Sequence, residues 1–382
     1  MIDFNLTDEQ RLIRDTAREF AKTHLAPGVI ERDDKAIFPA EQLKIMADLG
    51  FMGMMIPEKW GGSGIDTCSY VIALEEIAAV DASTAVIMSV NNSLVCQLLY
   101  DWGTDEQKKK YLIPLAKGEN LGAYSLSEPQ SGSDASNMRT YAERISDYYV
   151  INGTKNWVTN GQSSDVIIVF CLTAKGIGAK GISAFIVEKG IKGLSIGKKE
   201  DKLGIRGSDT CEIYLKDCQI PITNLIAEEG QGFKVALKAL SGGRIGIASQ
   251  ALGIARAALD ASVSYANDRH QFGRAIGEFG AIKNKIANMA TEIDAARLLI
   301  WKAASLKELG MPYIKEASMA KLYASGVAMR ASTECVQIHG GYGYMQEYGV
   351  ERLMRDAKIT QIYEGTSEIQ QLVIAKELLK NG

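Results

Sequence analysis

The sequence predicts a mainly α-helical fold with a β domain set into the middle of the chain. Three observations predict it. The first third carries apolar residues at helical spacing, the stretch after about Gly122 carries short β-rich runs between glycine turns, and from about Gly232 the helical period returns in longer units. These two changes of period divide the 382 residues into expected domains 1–122, 123–230 and 231–382, each of ordinary domain size.

In the first domain Thr7 and Gln10 form a capping box. Leu12, Ile13, Ala17, Phe20 and Ala21 then follow on one helical face until Pro27 stops them. A second helix over 40–49 ends at Gly50, helical patterns run over 70–80 and 84–100, and Thr104 with Gln107 starts another helix capped like the first. In the middle domain Asn152-Gly153 lies between two β-rich runs and predicts a hairpin turn, because that pair adopts positive φ readily. Strands are expected over 166–173, 182–187, 194–196 and 211–215; with no helices between them they suit a compact barrel or sandwich. In the last domain the helices over 233–267, 281–309, 314–338 and 367–379, with short connections, suit a four-helix bundle.

Composition bounds the function. With 46% hydrophobic and 23% charged residues the chain can bury a large core. Lys+Arg 43 against Asp+Glu 46 leaves a net charge of -3, which argues against a nucleic-acid partner held by bulk charge. The longest apolar string, 166–172, is far short of the roughly 18–20 residues of a membrane span, and the N-terminus carries no basic-then-apolar signal segment. A soluble cytoplasmic protein without membrane insertion is expected. Six cysteines without a C-x-x-C pair and only three histidines suggest neither a disulfide framework nor a metal centre.

Two motifs match by letter alone. Gly176-Ile-Gly178-Ala-Lys-Gly181 fits a dinucleotide fingerprint, but that fingerprint must open a helix, and another strand follows here. Ser318-x-x-Lys321 fits a nucleophile motif, but it lies mid-helix and reads as a solvated helix surface.

Three segments carry more. Leu126–Asp134 (LSEPQSGSD) concentrates small and hydroxyl residues that bring backbone N–H groups close to a ligand, although composition alone favours an ordinary Ser/Gly turn. Trp157, on a strand beyond Asn152-Gly153, reads as a core aromatic. Gln337–Tyr344 (QIHGGYGY) closes a long helix with more glycine than a cap needs, which permits close backbone approach to a cofactor, while His339 reads as structural. In Ile362–Glu368 (IYEGTSE), Thr366 or Ser367 can cap the last helix and leave its N–H groups facing an anion. Glu364 there is either a solvated loop carboxylate or, held among Tyr363, glycine and Ile362, a base with its charged form disfavoured.

In this order and spacing, the three segments resemble the acyl-CoA dehydrogenase family over essentially the whole chain. SVNNSLV (89–95), KKEDKLGIRGS (198–208) and GGRIGIASQALGIA (242–255) are most similar to its short-chain, butyryl-CoA subgroup. The resemblance implies an N-terminal helical domain, a middle β-barrel and a C-terminal four-helix bundle. It implies FAD bound between the middle domain and the bundle, in a dimer-of-dimers homotetramer whose subunits share flavin contacts. It implies an acyl-CoA substrate, Glu364 as the base that removes the proton α to the thioester, hydride transfer from the β-carbon to the flavin, and electrons passed on to an electron-transfer flavoprotein. A developing enolate needs its oxygen stabilised, and the family uses the N–H of the base residue, here Glu364, for one of those bonds.

Carried over by motif position, the segment from Tyr124 to Ser133, including Leu126, Ser127 and Gly132, lines the flavin, and Ser133 also lies near the CoA ester. Trp157 and Thr159 flank the flavin ring. Arg269 reaches the FAD pyrophosphate across a subunit boundary, Gln337, Gly340 and Gly341 approach the FAD, and Thr366, Ser367 and Glu368 contact its diphosphate or adenosine part. Arg244, Gly365 and Ser241 look onto the substrate. The chain departs from the subgroup at Ser241 (usually Asp), at Gly280 (commonly Gln) and at Gln97-Leu98 (usually Gly-Pro), so a branched or cyclic acyl group competes with a short linear one. The stretch 81–98 has no Lys or Arg, which disfavours a dicarboxylic acyl group. A CoA-ester or flavin-binding scaffold without turnover is the reading from another class, and a base at Glu364 argues against it.

Overall fold

The computed structural model describes residues 5–380. Helix α1 (Asp8–Phe20) begins at the Thr7–Gln10 capping box, with both reciprocal bonds formed, and continues through a π turn, Ala21–Leu25. The short α2 (Val29–Asp34) was not visible as a pattern because six residues hold under two turns of periodicity. Then come α3 (Ala40–Asp48) and α4 (Thr67–Val80), the latter capped by Asp66.

Asp81 caps α5 (Ala82–Ser89), which runs unbroken through a π segment, Val90–Cys96, into α6 (Gln97–Trp102). This 21-residue run holds an 18-residue stretch of mean hydropathy 1.3 and is long and apolar enough to cross a membrane, yet 94% of that stretch is buried inside the fold. A helix buried on every side is apolar on every side. The short α7 (Asp105–Gln107), with its Thr104–Gln107 capping box, and α8 (Ile113–Ala116) flank a further π turn.

The strands β1 (Gly122–Ser125), β2 (Tyr141–Ile145), β3 (Tyr148–Thr159), β4 (Val166–Leu172), β5 (Ile182–Glu188), β6 (Leu194–Lys199), β7 (Thr210–Pro221) and β8 (Leu225–Ile226) form one sheet in the order β6-β7-β3-β2-β4-β5-β8, with β1 parallel to β4. The expected barrel is a curled sheet left open between β6 and β8. It curls tightly enough for Tyr149 on β3 and Phe185 on β5 to meet at 4.8 Å inside. Strand β4 explains its own unbroken apolar run. Ile167, Val169 and Cys171 point into this inner core, while Val166, Ile168 and Phe170 point outward into the helical core.

Asn152-Gly153 is not a turn. Strand β3 passes straight through it, the hairpin with β2 closes at Ser146-Asp147, and Gly153 (φ 154°) marks a bulge against β7, where a Cβ would strike Thr140. The pair's turn propensity lost to β3 pairing on both sides. The loop that carries Gly176–Gly181 joins the antiparallel strands β4 and β5, as the hairpin reading required.

The C-terminal helices are α9 (Gly232–Asp268), α10 (Gly280–Glu308), α11 (Ile314–His339), α12 (Val350–Ile359) and α13 (Ser367–Leu379). A two-stranded ribbon, β9 (His270–Gln271) with β10 (Arg274–Ala275), joins α9 to α10. Helix α12 is additional to the four expected. It buries Val350, Leu353 and Ala357 against α9 and α11, but its ten residues also bury Arg352 and Asp356, which masked its apolar face in the sequence. Helix α13 buries Gln370 alone among its residues.

Candidate active site

The loop between α12 and α13 is shaped by its backbone. Glu364 (φ 53°) and Gly365 (φ 96°) are two successive left-handed residues, a conformation that costs a non-glycine residue about 1 kcal/mol or more. Three hydrogen bonds hold the turn: Gln370 Nε2 donates to the carbonyls of Glu364 (3.2 Å) and Gly365 (2.8 Å), and Lys321 Nζ donates to the Gly365 carbonyl (2.6 Å). Thr366 caps α13, its hydroxyl accepting from the Ile369 N–H.

This turn aims the Glu364 carboxyl at α9. Its Oε2 is buried without a hydrogen-bond partner, and a Cβ on Gly243 would come within 2.2 Å of it. Burial pushes the Glu364 pKa up to about 7, against the pull of Lys321 and Arg244. Arg244 is itself buried, donates to Ser318 Oγ (3.2 Å) and has its pKa lowered by burial. The phenol of Tyr363 donates to Gln250, whose amide donates to the Ala82 carbonyl (2.8 Å).

Ser318 and Lys321 therefore do not form a solvated surface; both are fully buried, directly behind this loop. The letter pattern gave no sign of this. A small hydroxyl and a long cation one turn apart on a helix, with Ala317, Ala320 and Ala324 around them, were the available signal.

A second cluster gathers the Leu126–Asp134 segment against β3. Residues 128 and 131 exchange backbone bonds in a tight turn, and the Glu128 carboxylate inside it accepts from Arg139 N–H (2.6 Å), Thr140 N–H (3.0 Å), Gln130 Nε2 (2.7 Å) and Lys155 Nζ (2.9 Å). Lys155, with no exposed surface, also donates to the Leu126 carbonyl (3.0 Å). The next residue, Asn156, donates its N–H to the Ser127 carbonyl (2.9 Å).

Beyond Lys155 the β3–β7 register shifts by one residue, and this bulge throws Trp157 outward at φ 59° and 61% exposure. Trp157 is thus not a core aromatic. Thr159 returns to the ladder opposite Thr210. Tyr124 on β1 packs against Phe170 with tilted rings 5.0 Å apart and donates to the Ala236 carbonyl (3.3 Å), which carries this cluster toward the Glu364 site.

The third cluster lies at the other end of α9. Arg269 sits over the Tyr342 ring (5.3 Å), and the His339 ring stacks on Tyr265 (4.1 Å). Gly340 (φ 61°) ends α11, and Cβ atoms on Gly340, Gly341 or Gly132 would meet nothing within 4 Å. Gln337, Gly132 and Ser133 are exposed, as are Glu368 and both of these helix-end glycines. From Arg244 to Arg269 the helix advances about 37 Å at 1.5 Å per residue, so one chain does not bring its first and third clusters together.

Between α5–α6 and the start of α9 lies a cavity of about 600 Å³, walled by Gln97, Leu98, Asp101, Gly242, Lys307 and Tyr313 among others. That is a volume suited to a small-molecule site. Ser241 does not line it; its hydroxyl donates back to the Leu237 carbonyl (2.8 Å).

A carboxyl with a buried oxygen and a raised pKa, and an outward-facing tryptophan on a strained bulge, are the features of this chain most suited to proton chemistry and to a flat ligand. The chain matches the N-terminal (7–119), middle (123–218) and C-terminal (230–379) domains of acyl-CoA dehydrogenase, and it belongs to that family, FAD-dependent oxidoreductases acting on acyl-CoA. It is 50% identical to the short-chain specific acyl-CoA dehydrogenase of Clostridium acetobutylicum over 99% of this chain and 100% of that one. It superposes on the butyryl-CoA dehydrogenase of Megasphaera elsdenii with a TM-score of 0.97, at 48% identity, covering 99% and 100% of the two chains. A chain solved in work on the electron transferring flavoprotein of Acidaminococcus fermentans and flavin-based electron bifurcation gives a TM-score of 0.98, at 49% identity and the same coverage.

Proposed function

We propose that the protein oxidises a short-chain acyl-CoA to the trans-2-enoyl-CoA, with Glu364 taking the α-proton. The observation that carries this reading is the Glu364 carboxyl: buried at Oε2, unpartnered, and with a pKa near 7. A general base works best when its pKa lies near the operating pH. The strained turn fixes the direction of the carboxyl before substrate arrives, so less orientation entropy is lost at reaction.

FAD supplies the hydride acceptor when bound, and the residues here fit it. Trp157 and Thr159 would flank its ring, and the Tyr124–Ser133 segment would line it. The open edges at Gly132, Gly340 and Gly341 admit close backbone approach. Gln337 and the Thr366–Glu368 helix start would face its remainder, a helix N-terminus being a favourable place for phosphate. Arg269, with Gln337, Gly340 and Gly341 in its cluster, lies too far along α9 to share a flavin with Glu364 of its own chain, which supports an oligomer, a homotetramer by family resemblance, in which this cluster serves a neighbouring subunit. Arg244, Gly365 and Ser133 would hold the CoA ester, and an electron-transfer flavoprotein would take the electrons.

The test is anaerobic mixing of the flavinated enzyme with butyryl-CoA, reading flavin bleaching. Glu364→Gln should bind FAD and substrate normally and lose about 10²–10⁴-fold in reduction rate. Near-normal bleaching would place the base elsewhere.

A further inference from the structure

The loop that carries Glu364 rests on a cation that no acid neutralises at contact distance. Lys321 has no exposed surface, yet among the described residues no carboxylate lies within ion-pair distance of its ammonium. Leaving an ammonium buried without a contact ion pair is costly unless the charge has a use. Its bond to the Gly365 carbonyl is short (2.6 Å), and that carbonyl belongs to the second of the two left-handed residues. Burial lowers its pKa to about 8, and the acid whose charge acts on it most is Glu364.

We propose that Lys321 is a positioning residue for Glu364: it pins the left-handed turn through the Gly365 carbonyl and supplies positive potential behind the carboxylate. This rests on Glu364 being the base. Before proton transfer the Glu364 charge is balanced by Lys321 on α11 and Arg244 on α9. Once Glu364 has accepted the α-proton it is neutral, both cations remain, and the field of the site favours the negative charge left on the substrate.

The phenols coupled to Glu364 are Tyr70 on α4, Tyr124 on β1 and Tyr363 on the loop itself, each with its pKa raised by burial and by Glu364. Tyr313 acts on Arg244, and Glu368 on α13 acts on Lys321. Gln370 shares the holding of the turn without charge, so position and potential can be separated by substitution.

The experiment measures the pH profile of flavin reduction by butyryl-CoA in the holoenzyme and in Lys321→Met, Lys321→Arg, Gln370→Ala and Glu364→Gln. Lys321→Met should lose about tenfold in reduction rate, and its acid limb should move up by roughly one pH unit, the shift expected on losing a nearby opposite charge. Lys321→Arg should keep the wild-type limb, and Gln370→Ala should lose rate without moving it. An unmoved limb in Lys321→Met overturns the proposal and leaves Lys321 structural. If Lys321→Met does not hold flavin, Lys321→Arg decides alone, because a moved limb with the charge retained also overturns it. Full activity in Glu364→Gln would sink the assignment of the base instead, whatever Lys321 does.

Discussion

Two glutamates withdrawn from solvent in this chain have opposite fates. Glu128 and Glu364 each face a buried lysine, Lys155 and Lys321. Glu128 accepts four hydrogen bonds, one of them from an ammonium at contact distance, and although burial alone would raise its pKa, these partners bring it down to about 2. Glu364 presents a buried Oε2 with no donor at all, its lysine turned to a backbone carbonyl instead, and its pKa rises to about 7. Donor count, more than burial, separates a carboxylate that builds a loop from one that can exchange a proton.

The comparison can be broken at its structural end first. Lys155→Met leaves the Glu128 charge buried and frees the Leu126 carbonyl; it should cost about 3–5 kcal/mol of stability by chemical denaturation and release flavin with it. A loss under 1 kcal/mol would mean that the backbone donors alone hold Glu128.

The pH dependence of unfolding should distinguish the two acids by sign. The Glu128 pKa lies below its ordinary 4.5, so its contribution is complete above that pH and is lost as pH falls toward 2. At 1.36 kcal/mol per unit this amounts to roughly 3 kcal/mol, and Glu128→Gln should flatten the acid limb by about that much. Glu364 runs the other way: with its pKa raised, its contribution is complete below 4.5 and is lost as pH rises through 7. Glu364→Gln should therefore gain relative to wild type between pH 5 and 8.

The smallest effect tests the space over Glu364. Gly243→Ala places a methyl at the carboxyl position and against Leu94, so the base must swing aside. The reduction rate should fall about tenfold, 1.4 kcal/mol, while butyryl-CoA binding changes little. A wild-type rate would show that the carboxyl reaches substrate from another rotamer.

The part of the site written in consecutive residues was legible. Glu364 and the Thr366 cap stand in one unbroken motif, and the capping boxes at Thr7 and Thr104 follow from residues three apart. What was not legible depends on distant chain. Lys321 is buried because α13 and the 360–366 loop lie over it, and periodicity within α11 carries no record of that cover. Trp157 is expelled by a register shift against β7, some fifty residues on, so its strand-like surroundings pointed inward. Asn152-Gly153 kept its local preference for a turn, but the ladder on both sides held the strand straight.

The π segment at 90–96 amounts to a residue inserted into the α5–α6 run and absorbed without breaking it. Because that residue is taken up within one widened turn, deleting one residue there would return the run to plain α geometry and leave the residues after it facing as they do now. The wall made by Gln97, Leu98, Asp101 and Trp102 would keep these four side chains, whereas the same deletion in a plain α segment would turn every later residue by about 100°. An evolving lineage could thus lose a single codon in this segment and keep the polar lining of the cavity, which makes the π turn a place where chain length can drift while the wall stays put.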